Sequence, residues 1–419
     1  MRILYSSLFY LLLPFIFLRL LWRGIKAPAY RKRWHERLAF YSKSTNPGVV
    51  WFHAVSVGEA ESVFQLVKCY QNIHPNDTVL ITTTTPTGSA RVKDVMGEKV
   101  EHVFLPYDTP DAISRFINHF RPKIGVIMET EIWPNLFHHC GKNKIPLLIV
   151  NARLSENSER GYQKLHSFFS RILANVNVIS TQSNTDKNRF VRIGANPEKV
   201  VTTGNIKFDL EIPVDLIEKG KNIKKNIFNG RQVWIIASTH KNEEQHFLNI
   251  YKRIKRDYPA LLLLIVPRHP ERFNEVAKLC EANQLKIVRR SHKKDCSANT
   301  DVYLADTMGE LKMLYAAADV AFVGGSMVPV GGHNVLEPAV IGVPVMFGPY
   351  MANFKEISKG LLSLHAAVQC NNPEEIEKNL VKLIGENTFR QKMTEQAKKF
   401  VQANSGATQK NLQLIEKQL

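Results

Sequence analysis

Polar residues gather where apolar runs end, and their types suit proton transfer and anion binding. The first group is His53, Ser56, Gly58 and Glu59, directly after the run Val49–His53. A glycine there lets backbone approach closely, and the amides of a helix N-terminus attract an anion. Glu59, in the first helical turn, either complements the helix dipole or acts on a ligand. The second group is Glu129 and Glu131, at i and i+2 after Ile124–Met128 and ahead of Trp133, Pro134 and Asn135. A strand end that partly desolvates carboxylates raises their pKa and prepares one to take a proton. Pro134 suits the first position of a helix, so Glu131 reads as a helix-entry residue and Glu129 as the functional one. Lys207, in Gly204-Asn205-Ile206-Lys207, is either solvated or stands at the floor of a site.

The strongest local signal lies further on, where Gly324-Gly325-Ser326 follows an apolar run and leads into Pro329 to Pro338. Paired glycines opening a helix let amides close on phosphate. Glu337 is three residues beyond Asn334 and shares its helix face, so Asn334 would approach phosphate while Glu337 grips ribose hydroxyls. A tight turn that needs glycine is the plainer alternative. The sequence has no GxGxxG after its first strand and no GxxxxGK[ST], which disfavours NAD and P-loop ATP chemistry.

Strands must hold these groups in place. The runs Val49–His53, Thr78–Thr82, Val100–Leu105, Ile124–Met128, Pro146–Asn151, Val176–Thr181 and Val200–Thr203 have strand character, and Ala60–Ile73 and Ser158–Ala174 have helical periodicity. A second alternation follows in Val233–Ala237, Leu261–Val266, Leu285–Val288, Asp301–Leu304, Val320–Val323 and Val343–Phe347. Strand-helix alternation predicts α/β architecture with parallel sheets: two doubly wound domains whose ligands meet the carboxyl ends of strands. The expected divisions are an anchor at 1–43, a first domain at 44–204, a linker at 205–230 rich in Lys, Asn, Asp and Gly, a second domain at 231–372, and C-terminal helices at 373–419 crossing back to the first domain.

Ile3–Leu18 has no charged side chain, and apolar character resumes after Arg19. Sixteen helical residues reach about 24 Å against a hydrocarbon core of about 30 Å, so the segment either spans marginally or lies at the interface. Arg23, Lys26, Arg31, Lys32, Arg33 and Arg37 follow, so positive-inside logic holds the body in the cytoplasm. The first 43 residues carry +8 of the chain's net +18. The excess therefore points to an anionic membrane surface rather than nucleic acid, which would need basic residues interleaved with stacking aromatics. With 419 residues, 44% hydrophobic and 22% charged, the chain is neither disordered nor a polytopic membrane protein. Five scattered cysteines without a CxxC fit a reducing compartment and no structural zinc.

These motifs together resemble the Kdo transferases, bacterial enzymes that move 3-deoxy-D-manno-octulosonic acid (Kdo) from CMP-Kdo onto a lipid A precursor. The resemblance runs through the N-terminal anchor, His53 to Glu59, Glu129 to Asn135, Gly204 to Lys207, Pro267-Arg268-His269-Pro270 and Pro329 to Pro338. It implies a GT-B arrangement of two facing Rossmann-like domains, the acceptor on the N-terminal one and the nucleotide on the C-terminal one. It makes Glu59 the general base, and Glu129 and Lys207 transition-state stabilisers. CMP would meet Pro267, Arg268, Met308, Gly309, Glu310, Asn334, Val335, Leu336 and Glu337. No metal or other cofactor is implied, since CMP leaves with a single phosphate. The implied setting is the cytoplasmic face of the inner membrane, with CMP-Kdo, a lipid A precursor and anionic lipid as partners and no nucleic acid. The alternatives are another membrane-associated GT-B enzyme using a UDP-sugar, and a catalytically silent membrane-docked protein.

Overall fold

Short runs, most of them apolar and rich in Val, Ile and Leu, suit the strands of a sheet covered on both faces. The computed structural model describes residues 1–41 and 47–419, and the expected boundary at residues 43 and 44 lies outside the described residues. Seven of these runs form β1 (Val50–His53), β2 (Val79–Thr83), β3 (Glu101–Phe104), β4 (Ile124–Met128), β5 (Leu147–Ala152), β6 (Val178–Thr181) and β7 (Val200–Thr202). All pair in parallel, in the order β3-β2-β1-β4-β5-β6-β7.

Successive side chains leave a strand on opposite faces, so Trp51 enters one core with Phe116, Phe120 and Phe137, and Phe52 enters the other with Val63, Val67 and Tyr70. Gly125, beside Trp51 in the register, is where a side chain would not fit: a Cβ there would lie 2.9 Å from the indole ring.

The second sheet contains β8 (Val233–Thr239), β9 (Leu262–Pro267), β10 (Ile287–Arg289), β11 (Val302–Leu304), β12 (Val320–Val323), β13 (Val345–Phe347) and β14 (Val368–Gln369). It too is parallel throughout, in the order β10-β11-β9-β8-β12-β13-β14. Each sheet has a topological switch point, between β1 and β4 in one and between β8 and β12 in the other. The candidate residues cluster at these two places.

The chain divides into two compact units, Met1–Asp209 with Ser405–Leu419, and Leu210–Asn404. This differs from the sequence expectation at three points. The stretch read as a linker at 205–230 is folded: Ile206–Phe208 is a turn of the first unit, and the helix Val214–Asn222 belongs to the second, where Gly220 packs against Met313 and Ala316. The C-terminal segment is helical and returns to the first unit as expected, but of its three helices, Pro373–Gly385, Asn387–Asn404 and Ala407–Glu416, only the last belongs there. Gly406, at φ +99°, makes that break, and the Asp209 carboxylate caps the new helix through the amides of Gly406 and Thr408. Ser158–Ala174, expected as one helix, is two, Glu156–Gln163 and His166–Leu173, broken at Leu165.

Candidate active site

In the first unit, β1 runs into helix α2 (Val57–Ile73), and Ser56 is its N-cap. The Glu59 amide donates to Ser56 Oγ at 3.4 Å, the Ser56 hydroxyl donates to Glu59 Oε1 at 3.0 Å, and the Val55 amide donates to Glu59 Oε2 at 2.7 Å. This is a capping box. Glu59 thus has the structural role weighed from sequence, and it also has a perturbed carboxyl: burial raises its pKa, partly offset by the Val55 hydrogen bond.

Glu129 directly follows β4 with a left-handed backbone, φ +55°, and is 7% exposed. Arg153, just past β5, donates from Nε to Glu129 Oε2 at 2.7 Å. Lys207 sits in a turn hung from the ends of β5 and β6. Asn151 accepts the Ile206 amide at 3.1 Å, and Asn205 accepts the Lys207 amide at 3.0 Å while donating to Gln182 at 2.9 Å. Burial lowers the Lys207 pKa, against the opposing pull of Glu129 and Glu59. Glu59, Glu129 and Lys207 therefore converge within electrostatic reach of one another, although they lie far apart in sequence.

Glu131 departs from its expected role. The helix Pro134–Lys142 begins with Trp133 as N-cap and Pro134 in its first turn, leaving Glu131 outside. Its carboxyl is pushed up to about 7 by burial and by the negative charge of Glu59. His53 is wholly buried, with Nδ1 2.9 Å from Thr82 Oγ1, and burial drops its pKa to about 4, so it is a neutral core residue. Arg153, Asn151 and Gln182 were not singled out from sequence. Each is a lone polar residue at or just past a strand end, and that position was the only available signal.

In the second unit, the paired glycines do not open a helix. Residues 324–335 form a loop, and the helix that follows, Leu336–Ile341, is six residues long. Gly325, at φ +64°, has no room for a side chain, since a Cβ would lie 2.9 Å from the His333 ring. The loop is held by Glu243, which is fully buried and accepts the amides of His240 at 2.8 Å, Gly325 at 2.8 Å and Met327 at 3.0 Å. His240 and His333 stack 5.1 Å apart with their Nε2 atoms 2.8 Å from each other, and the ring of His269 lies 5.2 Å from that of His240.

Burial and the charge of Arg268 lower the His333 pKa to about 4. A neutral imidazole pair shares one proton across such a contact. Arg268, which follows β9, His240, which follows β8, and the loop after β12 thus meet at the switch point, a set of donors suited to phosphate or carboxylate.

The other expected nucleotide residues lie elsewhere in the second unit. Pro267 ends β9 and Met308 is 55% exposed. Gly309 has φ +83°, and Glu310 accepts Arg290 at 2.9 Å and also Thr307. Asn334 caps the short helix by accepting the Leu336 amide at 3.0 Å. Val335 is fully buried at that helix's N-cap, Leu336 is its buried first residue, and Glu337 lies in its first turn, where its charge acts on Tyr315. Among the described residues, no group of three His, Cys, Asp or Glu side chains is placed to hold a metal ion.

Two parallel doubly wound units with polar clusters at their switch points define the GT-B fold. The same fold is found in MurG from Acinetobacter baumannii, which is 14% identical with a TM-score of 0.55 over 88% of this chain and all of that one. It also occurs in a UDP-GlcNAc 2-epimerase from Neisseria meningitidis, 13% identical with a TM-score of 0.58 over 89% of this chain and all of that one.

Residues 32–210 match the family described as 3-deoxy-D-manno-octulosonic-acid transferase, and residues 225–400 match glycosyl transferases group 1. The chain is 38% identical to the 3-deoxy-D-manno-octulosonic acid transferase of Haemophilus influenzae over 99% of its own length and 98% of that protein. It is 34% identical to the enzyme of that name from Bordetella pertussis, over 88% of this chain and 86% of that protein. The chain belongs to the 3-deoxy-D-manno-octulosonic acid transferase family.

Proposed function

We propose that this chain transfers Kdo from CMP-Kdo to a hydroxyl of a lipid A precursor, releasing CMP, as a step of lipopolysaccharide biosynthesis. Family membership over the full length supports the activity, and the convergence of Glu59, Glu129 and Lys207 at one switch point carries the mechanism. The acceptor oxygen forms a bond to the anomeric carbon of Kdo while the bond from that carbon to the CMP phosphate oxygen breaks, and the electron pair leaves with CMP. Glu59 takes the hydroxyl proton. Its raised pKa makes it a stronger base than an ordinary carboxylate, and each of its oxygens keeps a second lone pair beyond its capping bond. The Glu129 carboxylate and the Lys207 ammonium stabilise charge that develops on the sugar and on the departing phosphate. Arg153 keeps Glu129 in place.

In this reading CMP is held by the second unit, through Pro267 and Arg268, Met308 to Glu310, and Asn334 to Glu337. No metal is required, because CMP leaves as a phosphate monoester with a single phosphate and the chain supplies cationic and N–H donors of its own. The protein works at the cytoplasmic face of a Gram-negative inner membrane, held there by its N-terminal segment and by attraction to anionic lipid, and it binds no nucleic acid. CMP release with CMP-Kdo and a lipid A precursor tests the reading. Turnover of UDP-sugars with no response to CMP-Kdo would replace it with the UDP-sugar alternative.

A further inference from the structure

The N-terminal helix α1 (Arg2–Lys26) is long and apolar enough to cross a membrane by length and composition. Its contacts with the first unit point to a different placement. Arg2 Nη1 approaches Asn135 Oδ1 at 3.4 Å, and Ser6 Oγ lies 3.0 to 3.1 Å from the Asn135 side chain. Further along the helix, Tyr10 donates to Asp111, the ring of Phe9 is 6.3 Å from that of Tyr107, and the ring of Phe17 is 5.1 Å from Trp34 and 5.7 Å from Tyr107. The buried or half-buried residues Arg2, Ser6, Phe9, Leu13, Phe17, Leu20 and Gly24 recur with helical spacing, so one continuous face lies on the protein body from the first turn to the last. A spanning helix would carry Arg2 and Ser6 to the far leaflet and break their bonds to Asn135.

The opposite face is unpartnered and apolar. Leu4, Leu11, Phe15, Leu18 and Trp22 are each 60 to 71% exposed, and Ile3 is 80% exposed. Cations mark both ends. Arg19, Arg23, Lys26, Arg31 and Lys32 are exposed at the C-terminal end. At the N-terminal end a cavity of about 390 Å³ has the cations Arg2 and Lys142 in its lining. Twenty-five residues make a rod of about 38 Å, and basic side chains at both of its ends, on the same body, place both ends at headgroup level. An amphipathic helix with these features lies in the interface plane.

We propose that α1 lies flat in one leaflet of an anionic bilayer, its exposed apolar face among the acyl chains and both its ends among lipid phosphates. The inference rests on the membrane association put forward above and is independent of which sugar is transferred. Asp108 accepts the amides of Asn135 and Leu136 at 2.9 and 2.8 Å. A flat helix docked on Asn135 therefore brings the loop carrying Glu129 and Glu131 to the lipid surface, where a lipid-borne hydroxyl would arrive.

The test is depth. Leu4→Cys, Leu11→Cys and Leu18→Cys, on the exposed face and seven residues apart, are made singly in the full chain with the half-buried Cys69 replaced by alanine. Each is spin-labelled and reconstituted into vesicles of phosphatidylethanolamine and phosphatidylglycerol, and its depth is read from relaxation by oxygen and by a water-soluble paramagnet. A flat helix gives equal depths at all three sites. A spanning helix gives Leu11 near the midplane, with Leu4 and Leu18 about 10 Å to either side of it, which overturns the flat placement and keeps the anchor. Labels that stay in water at all three sites overturn both.

Discussion

Ser56 and Glu59 cap each other at the entrance of α2, with the Ser56 hydroxyl on Glu59 Oε1 at 3.0 Å and the Glu59 amide on Ser56 Oγ at 3.4 Å. One carboxylate therefore holds the helix start and faces Glu129 and Lys207 electrostatically. Glu59→Gln keeps an acceptor oxygen for the cap but loses the base. Transfer is expected to fall about 10²- to 10⁴-fold, with CMP affinity unchanged. Single-turnover assays and CMP calorimetry on the same preparation separate the two effects, and retention of more than about a tenth of the rate would move the base assignment to another carboxylate.

Glu131 gives the first unit a pH signature. Its carboxyl titrates near 7 when folded, against an ordinary 4.5. The folded state therefore binds the proton more tightly than the unfolded state, and stability falls as pH rises from about 4.5 through 7. Glu131→Gln removes this term. The variant's unfolding midpoint relative to wild type is expected to rise between pH 5 and pH 8, and a difference that stays flat across that range would contradict the burial.

Nucleotide binding should respond only to changes in the second unit. Arg268→Ala and Glu337→Ala are expected to weaken CMP binding, and Glu243→Ala still more, because it leaves the amides of His240, Gly325 and Met327 without their acceptor. Calorimetric titration with CMP checks this, with near-UV circular dichroism to show that the Glu243 variant remains folded. Unchanged affinity in all three would remove the site.

The basic cluster read from sequence is two populations in the structure. Arg33 pairs with Glu36 at 2.6 Å and reaches Ser89, while Arg37 is 4% exposed, donates to the Thr84 carbonyl at 2.9 Å and lies over Phe104. These two hold the fold, whereas Arg23, Lys26, Arg31 and Lys32 are exposed. Replacing those four with Gln should release protein from anionic vesicles at physiological salt and leave the unfolding temperature unchanged. Arg37→Gln should lower that temperature with little effect on vesicle binding. Flotation assays and calorimetry give both readouts, and the reverse pattern would contradict the division.

Much of this was legible because a parallel sheet exposes its chemistry in a regular place. Glu59, Glu129 and Lys207 each follow an apolar run closely, and the run itself announces the strand. Arg153 and Glu243 were not legible, because the meaning of each lies in a partner 24 or 82 residues away. The boundary between Asn387–Asn404 and Ala407–Glu416 was not legible, because Ser405-Gly406 interrupts the helical pattern for only two residues. β14 has two residues, too few to show any periodicity. The role expected of Glu131 failed because Pro134 correctly marks a helix start, but what buries Glu131 is tertiary structure.

The most direct test of the account is mass spectrometry of the lipid product. The full-length protein, CMP-Kdo and a purified lipid A precursor are incubated without added metal and with a chelator present. A Kdo-bearing lipid is expected to form together with CMP, and to be lost in Glu59→Gln. An unmodified lipid with the wild-type protein, alongside turnover of a UDP-sugar, would contradict it.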